Sequence, residues 1–284
     1  MRLLVFISFM CLSSVYSSGQ GLLEFEQNLD GFLEELSKCT EDEQRAFYND
    51  SIRELLTNQI SKPEVFSHEF TCKKIGILKP EDEAFMIFNW NSPREDGSSN
   101  FYCYLVLPRE NRNLVTEFKT YKREPKKLDS RYLETTDWYG TLYYDIIPVK
   151  KGKKTYYTLL GYSPSQKFIS TKYVDVLTIK GDEVSLGAPI FKTENGMKKR
   201  LIFKYSSEVS MTVRYQESAE RLILDHLVPR IAGMQGNFQF YGPNGTFDSY
   251  VLNKHIWEFT GNVEYRAEKK SEKGYRDPRK RQKD

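Results

Sequence analysis

Apolar residues after position 20 recur at steps of three and four. The first stripe consists of Leu22, Phe25, Leu29, Phe32, Leu33 and Leu36. Such spacing places apolar side chains on one face of a helix. A second stripe covers residues 48–60, preceded by Thr40 and Glu43 in a capping-box pattern and followed by Pro63. The sequence therefore predicts an α-helical hairpin over residues 20–62.

From about residue 64 the pattern changes to short runs rich in Tyr, Phe, Val, Ile and Thr, separated by turn residues. These runs predict strands at residues 65–70, 74–78, 84–90, 101–107, 141–149, 155–162, 173–179, 184–191, 199–205, 210–215, 221–227, 237–241 and 247–259. Tight turns are predicted at residues 150–154, 180–182, 193–196 and 242–245. The charged stretch 113–119 is predicted as a helix.

Strand starts fall about every ten residues, which is typical of antiparallel sandwiches, barrels and propeller blades. An aromatic content of 14% also favours a β body. No clean internal repeat is visible, which disfavours a propeller. The predicted fold class is mainly β: an antiparallel meander or sandwich-like β domain over residues 63–267, preceded by the helical hairpin.

Residues 1–19 have the layout of a secretory signal peptide. Arg2 supplies a positive start, residues 3–12 are almost entirely apolar, and small and polar residues follow. The apolar run is shorter than the roughly 20 residues that span a bilayer. The alternative is a buried N-terminal strand or helix. We predict cleavage after Ser18 or Gly19 and export to the periplasm or cell envelope, with secretion left open.

Three cysteines would remain after cleavage: Cys39, Cys72 and Cys103. An oxidising compartment permits a disulfide between two of them, and an odd count leaves one thiol free or paired with another chain. The pairing cannot be read from the sequence.

The last segment, residues 268–284, is strongly basic. It carries eight Lys or Arg against four Asp or Glu, whereas the whole chain has a net charge of only +3. Its apolar content is too low for a core, so we predict a disordered tail. A solubilising role is favoured over contact of the tail with anionic lipid headgroups or surface polysaccharide. Nucleic acid is not an expected partner, since no aromatic-basic platform accompanies the charge.

The search for catalytic residues gives His226 as the first candidate, with Asp225 as its acidic neighbour. Adjacent side chains on a strand face opposite ways, so the two would cooperate directly only if the segment were a turn. A structural role for this pair is favoured. The three histidines are far apart in sequence, and no spacing typical of a metal site is found.

Trp90, Trp138 and Trp257 are candidate sugar-stacking residues, although tryptophan is also common in β cores. Among the many acids, Asp137, Asp145 and Asp175 stand out because aromatic or apolar residues flank them. A glycosidase needs two carboxylates roughly 5 to 10 Å apart beside such rings, and no pattern in the sequence brings them together.

No P-loop, dinucleotide-binding glycine fingerprint or Cys-x-x-Cys pair is present, so no cofactor is predicted.

Three stretches of the chain resemble a group of uncharacterised exported proteins of Bacteroidetes bacteria. They are residues 81–104, residues 199–229 and residues 241–248, within a resemblance that covers about residues 65–260. The resemblance implies export and no particular activity, and it assigns no catalytic residue.

Together these observations predict an exported envelope protein that acts as a non-catalytic protein- or glycan-binding module. The alternative is a periplasmic hydrolase acting on glycan or peptide. An envelope protein or a glycan is the expected partner.

Overall fold

The amphipathic stripes form two helices, α1 (Leu3–Lys38) and α2 (Asp42–Gln59). A computed structural model describes residues 3–263, with side chains described from residue 20 onward except at positions 165, 166 and 262. The predicted basic tail lies outside the described residues. Cleavage before residue 20 stays a prediction.

The predicted capping box at Thr40 and Glu43 is wrong. Residue Glu41 precedes the first turn of α2 and makes no side-chain capping bond. Instead, the Asp42 N–H donates to Glu95 Oε1 at 3.0 Å, and the Glu95 N–H donates to Asp42 Oδ1 at 3.1 Å. A residue in a turn distant in the sequence thus accepts a hydrogen bond from a backbone N–H at the start of α2.

In the described residues sixteen strands follow the helices. They are β1 (Gly76–Leu78), β2 (Met86–Pro93), β3 (Ser99–Leu107), β4 (Leu114–Phe118), β5 (Leu133–Glu134), β6 (Leu142–Lys151), β7 (Lys154–Gln166), β8 (Ile169–Lys180), β9 (Glu183–Leu186), β10 (Phe191–Thr193), β11 (Gly196–Lys198), β12 (Leu201–Ser206), β13 (Val213–Gln216), β14 (Arg221–Pro229), β15 (Tyr241–Asn253) and β16 (Ile256–Val263). Short 3₁₀ turns occupy Pro63–Ser67, Leu128–Ser130, Thr135–Asp137, Glu217–Ala219 and Phe238–Phe240.

The strands form three sheets. The first sheet has the order β1-β2-β3-β4, and the outer sheet has the order β11-β10-β16-β15-β14-β13. The middle sheet has the order β5-β9-β8-β7-β6, with β12 also paired to β8. All pairs are antiparallel except β10 with β16.

The predicted helix over residues 113–119 is wrong, because this segment is strand β4. Leu114 pairs with Leu107 and Phe118 pairs with Cys103, so that β4 supplies backbone hydrogen-bond partners to the edge of β3. Tertiary pairing outweighs the helix-favouring charges here. The strand predicted over residues 65–70 is also wrong. Pro63 stands at the start of a 3₁₀ turn that covers part of that stretch.

The turn predicted at residues 242–245 and the strand at residues 237–241 are wrong as well. Strand β15 runs through the Gly-Pro-Asn-Gly stretch and stays paired with β14 on both sides of it. Residues 244–246 form a bulge, and the chain reverses later, where Asn253 pairs with Ile256. The predicted single strands 184–191 and 247–259 are accordingly each divided in two.

Alternating side chains place the sheets in layers. In β3, Cys103 and Leu105 face the middle sheet, whereas Tyr104 and Val106 face the helices. In β8, Leu177 faces the first sheet and its neighbours face the outer sheet. The order of layers is therefore helices, first sheet, middle sheet and outer sheet. The predicted fold class, mainly β with an N-terminal helical hairpin, is confirmed, and the sheets are stacked in the manner of a sandwich with a third layer.

Candidate functional site

His226 lies where β14 and β15 lose register, opposite the bulge of residues 244–246. Its Nδ1 lies 2.7 Å from Oδ2 of Asp248. The Asp248 side chain is 11% exposed, and that of His226 is 39% exposed. A carboxylate on Nδ1 fixes the tautomer of a neutral imidazole and leaves Nε2 as its proton acceptor. The arrangement is an oriented acid–imidazole pair.

Asp225, the acid predicted to accompany His226, has a different partner. Its Oδ2 accepts the Thr212 N–H at 2.7 Å, and its own N–H donates to the Thr212 carbonyl at 3.1 Å. It therefore anchors the loop before β13. The acid that does reach His226 is 22 positions further along the chain, and the sequence contains no local signal for this pairing.

Trp90, Trp138 and Trp257, the candidate sugar-stacking residues, are all buried. Their indole N–H groups donate, respectively, to Asn49 Oδ1, Tyr143 Oη and Thr158 Oγ1 at 2.9, 2.9 and 3.0 Å. Protein covers these rings, so in this structure they are core residues rather than an accessible stacking platform.

The three prominent acids are not brought together. Asp137 is exposed at a 3₁₀ turn. Asp145 lies on β6 opposite Leu160 and faces the outer sheet. Burial raises the pKa of its carboxyl group above the usual value. Asp175 faces the first sheet from β8 and is fully buried. Asp145 and Asp175 thus lie on opposite faces of the middle sheet and do not form a glycosidase pair.

A groove of about 460 Å³ opens along β12. Segment 124–129 forms one wall, and the β10–β11 turn, Phe238 and Tyr250 contribute to the rest. We call it the β12 groove and define it by Asp129, Asn195, Lys198, Phe203, Phe238 and Tyr250. It combines three aromatic rings with amide and charged groups, which is the usual make-up of a ligand site.

Two ion pairs lie in the lining of the β12 groove. Lys198 Nζ lies 2.6 Å from Asp129 Oδ2. Burial raises the pKa of Asp129, but the hydrogen bonds from Lys198 and Ser130 more than offset this and hold it below its usual value. Lys204 makes a longer ion pair with Glu124, at 3.7 Å. The groove therefore presents both donors and acceptors rather than a uniform charge.

A buried arginine holds one wall of the groove in place. Arg200 Nε donates to Asp175 Oδ2 at 2.9 Å, and its Nη1 donates to the carbonyls of Leu128 and Arg131. Burial disfavours the cation, but Asp175 keeps the pKa of Arg200 above its ordinary value. Nη2 is buried and has no hydrogen-bond partner among the described residues. The acid in an apolar strand was visible in the sequence, whereas its arginine partner was not.

Cys39, Cys72 and Cys103 are all free thiols in this structure. Burial raises the pKa of Cys72 and of Cys103, which keeps both protonated. Among the side chains that the structure describes, no cluster of three or more His, Cys, Asp or Glu is arranged to hold a metal ion.

No helix within the described residues combines the length and apolar character needed to cross a membrane.

Comparisons with known proteins assign no relative. The chain matches no family model, and searches of curated proteins and of solved structures find no match.

Proposed function

We propose that this chain is an exported envelope protein that binds a glycan in the β12 groove without catalysing a reaction on it. The observation that carries the proposal is the composition of the groove: Phe203 and Phe238 beside Asn195 and a Lys–Asp pair. Aromatic faces pack against the C–H faces of sugars, while amide and charged groups bind their hydroxyls.

The proposal is supported by the rigidity of the wall of the groove. Arg200 binds two carbonyls of the 128–131 segment, and the Lys199 N–H donates to the Asp129 carbonyl at 2.8 Å. A wall held in this way loses little conformational entropy on binding, which favours affinity. The export part of the proposal rests on the N-terminal signal pattern and on the resemblance described above.

Phe238→Ala tests the groove. Phe238 is 37% exposed, so its truncation removes a ring from the groove at little cost to the core. We expect binding to envelope polysaccharide fractions, measured by calorimetry, to weaken about tenfold, the cost of losing one aromatic anchor. Phe168→Ala is the matched control, since Phe168 is 66% exposed at the β7–β8 turn and does not line the groove.

Equal affinity of both variants, or no binding of any fraction by the wild-type protein, would rule out the groove as a glycan site. In-cell cross-linking with mass spectrometry then distinguishes a protein partner, because reproducible links to one envelope protein would replace the glycan with that protein.

The export proposal has its own test. The intact mass of the exported protein should lack the first ~18 or 19 residues. A mass that includes Met1 would remove the export argument.

A second candidate is a hydrolase acting on glycan or peptide, and the observation that favours it is the His226–Asp248 pair. An imidazole oriented by a carboxylate is the usual general base of hydrolases. In a screen against periplasmic glycans and peptides, any turnover should fall about 100-fold or more in His226→Ala and in Asp248→Asn, the usual contribution of a general base. Asp225→Asn should retain it. Turnover that survives His226→Ala, or no turnover at all, would exclude this candidate.

A further inference from the structure

A second recess lies at one end of the interface between the first and middle sheets. It has a volume of about 560 Å³, and no described residue lines both this recess and the β12 groove. Strand β7 begins at Lys154 and β8 ends at Lys180, and the pairing of these strands brings the two ends side by side. The end of β3 and the residues after it complete the recess. We call it the basic recess and define it by Leu107, Arg109, Lys153, Lys154, Tyr157, Ile179 and Lys180.

The rim of the basic recess is positively charged. Its described lining residues include no acid and four cations, Arg109, Lys153, Lys154 and Lys180. Two acids contact the lining from outside. Asp182 accepts a hydrogen bond from Arg109 Nη2 at 2.6 Å, and Asp82 accepts one from the Tyr157 hydroxyl at 2.9 Å. Four cations against these two acids leave a formal charge of +2, and a recess lined by one sign of charge concentrates ligands of the opposite sign.

Lys153 and Lys180 are the cations of the rim that are available to a ligand. Neither forms an ion pair with an acid among the described residues. By contrast, the guanidinium of Arg109 is engaged in its ion pair, and the Lys154 amine lies 4.7 Å from the ring centroid of Tyr156. The two available ammonium groups come from neighbouring turns, and each has three N–H donors. An anion with several oxygens can therefore accept hydrogen bonds from both.

The floor of the basic recess is apolar. Leu107 and Tyr157 are buried in the core between the first and middle sheets, and Ile179 packs against that core. The Tyr157 ring makes an edge-on contact with Phe85, with the two centroids 4.8 Å apart. Its hydroxyl is held by Asp82. The floor is thus a fixed apolar surface on which the carbon body of a ligand can pack while its anionic group meets the rim.

We propose that the basic recess binds a small organic phosphate monoester, with the carbon body on the floor and the phosphate between Lys153 and Lys180. A phosphate monoester carries a charge of about −1.5 to −2 at pH 7 and three acceptor oxygens, which matches the formal charge and the ammonium donors of the rim. A carboxylate or a sulfate monoester carries a single negative charge and would leave one ammonium without a counter-ion.

The shape of the basic recess favours a small molecule over a lipid surface. Its volume of about 560 Å³ lies within the range of roughly 300–1,000 Å³ that is usual for small-molecule sites. None of the large exposed apolar side chains among the described residues lies in its lining. Binding to a lipid surface relies on such side chains to enter the bilayer.

The test is isothermal titration calorimetry of the full chain with phenyl phosphate at physiological salt. Phenyl sulfate has the same shape but a single negative charge, and inorganic phosphate lacks the carbon body. We expect saturable binding of phenyl phosphate that is about tenfold tighter than that of either comparison ligand, because each of them loses one of the two contacts.

The double variant Lys153→Gln with Lys180→Gln should weaken the binding of phenyl phosphate about tenfold or more. Both side chains are exposed, so their replacement leaves the core intact. Lys150→Gln with Lys151→Gln is the matched control, since it removes the same charge from exposed positions of the β6–β7 hairpin outside the recess. We expect a change below about twofold in this control, because exposed charges are screened over about 8 Å at physiological salt.

Equal weakening in the two double variants would show a diffuse electrostatic effect and overturn the assigned site. Equal affinities for phenyl phosphate and phenyl sulfate, or no binding of phenyl phosphate at millimolar concentration, would also overturn the proposal. Vesicles that contain phosphatidic acid provide the last comparison. Binding to these vesicles without binding of phenyl phosphate would replace the small ligand with a lipid surface and refute the proposal.

Discussion

The buried Asp175–Arg200 pair gives the sharpest prediction for stability. Both side chains are fully buried, with Nε to Oδ2 at 2.9 Å. Asp175→Asn keeps an oxygen that can accept the Val176 N–H, but it leaves the guanidinium charge buried without its counter-ion. Removing one partner of a buried ion pair costs about 3–5 kcal/mol. A domain of ordinary stability has about 5–15 kcal/mol in total, so the variant should fold but be strongly destabilised.

The free energy of unfolding is measured by urea titration, with circular dichroism as the signal. Asp182→Asn is the control, because it breaks the Arg109–Asp182 pair, whose side chains are 44% and 71% exposed. Exposed pairs of this kind contribute about 0–1 kcal/mol. In the double variant Asp175→Asn with Arg200→Met, the loss should be smaller than the sum of the two single losses by about 2 kcal/mol or more. A loss below about 1 kcal/mol in Asp175→Asn with an unchanged urea slope would refute the reasoning.

Three further predictions concern other parts of the fold. Burial raises the pKa of Glu26, but hydrogen bonds lower it to about 2 overall. The ionised Glu26 carboxylate therefore stabilises the folded state fully above pH 4.5, and this contribution is lost as the pH falls towards 2. Glu26→Gln should flatten this acid limb in urea midpoints measured against pH, and an unchanged limb would contradict the assignment. Gly187→Ala should cost about 2–4 kcal/mol in the same titration, because Gly187 has φ +91° and a Cβ would lie 2.7 Å from the Arg131 carbonyl. Gly181→Ala, at φ +64° in open space, should cost only about 1 kcal/mol, and equal losses would contradict the steric argument. Asn89→Leu should lower the free energy of unfolding by about 2–4 kcal/mol, since this buried amide hydrogen-bonds to the backbone of β1 and β6; a loss below about 1 kcal/mol would show that water replaces it.

The spacing of apolar residues and the positions of turn-forming residues were enough to predict most of the fold. The helical hairpin and strands β6, β7 and β8 of the middle sheet follow from local side-chain spacing, which is a property of a few neighbouring residues. Segment 114–118 and the bulge at residues 244–246 were mispredicted, because pairing with β3 and with β14 decides their conformation. Such pairing involves residues that are distant in the sequence.

The candidate sites show the same limit more strongly. His226 stood out in the sequence, yet its partner Asp248 became visible only through the register of β14 and β15. Asp175 stood out as an acid in an apolar strand, but Arg200 comes from the entrance to another strand.

The stacking of layers has a spectroscopic consequence. Each interface between layers contains one tryptophan: Trp90 between the helices and the first sheet, Trp138 between the first and middle sheets, and Trp257 between the middle and outer sheets. A set of variants that each retain a single indole would make fluorescence report on one interface at a time. The order in which the three emissions shift to the red during denaturation would then reveal which layer separates first.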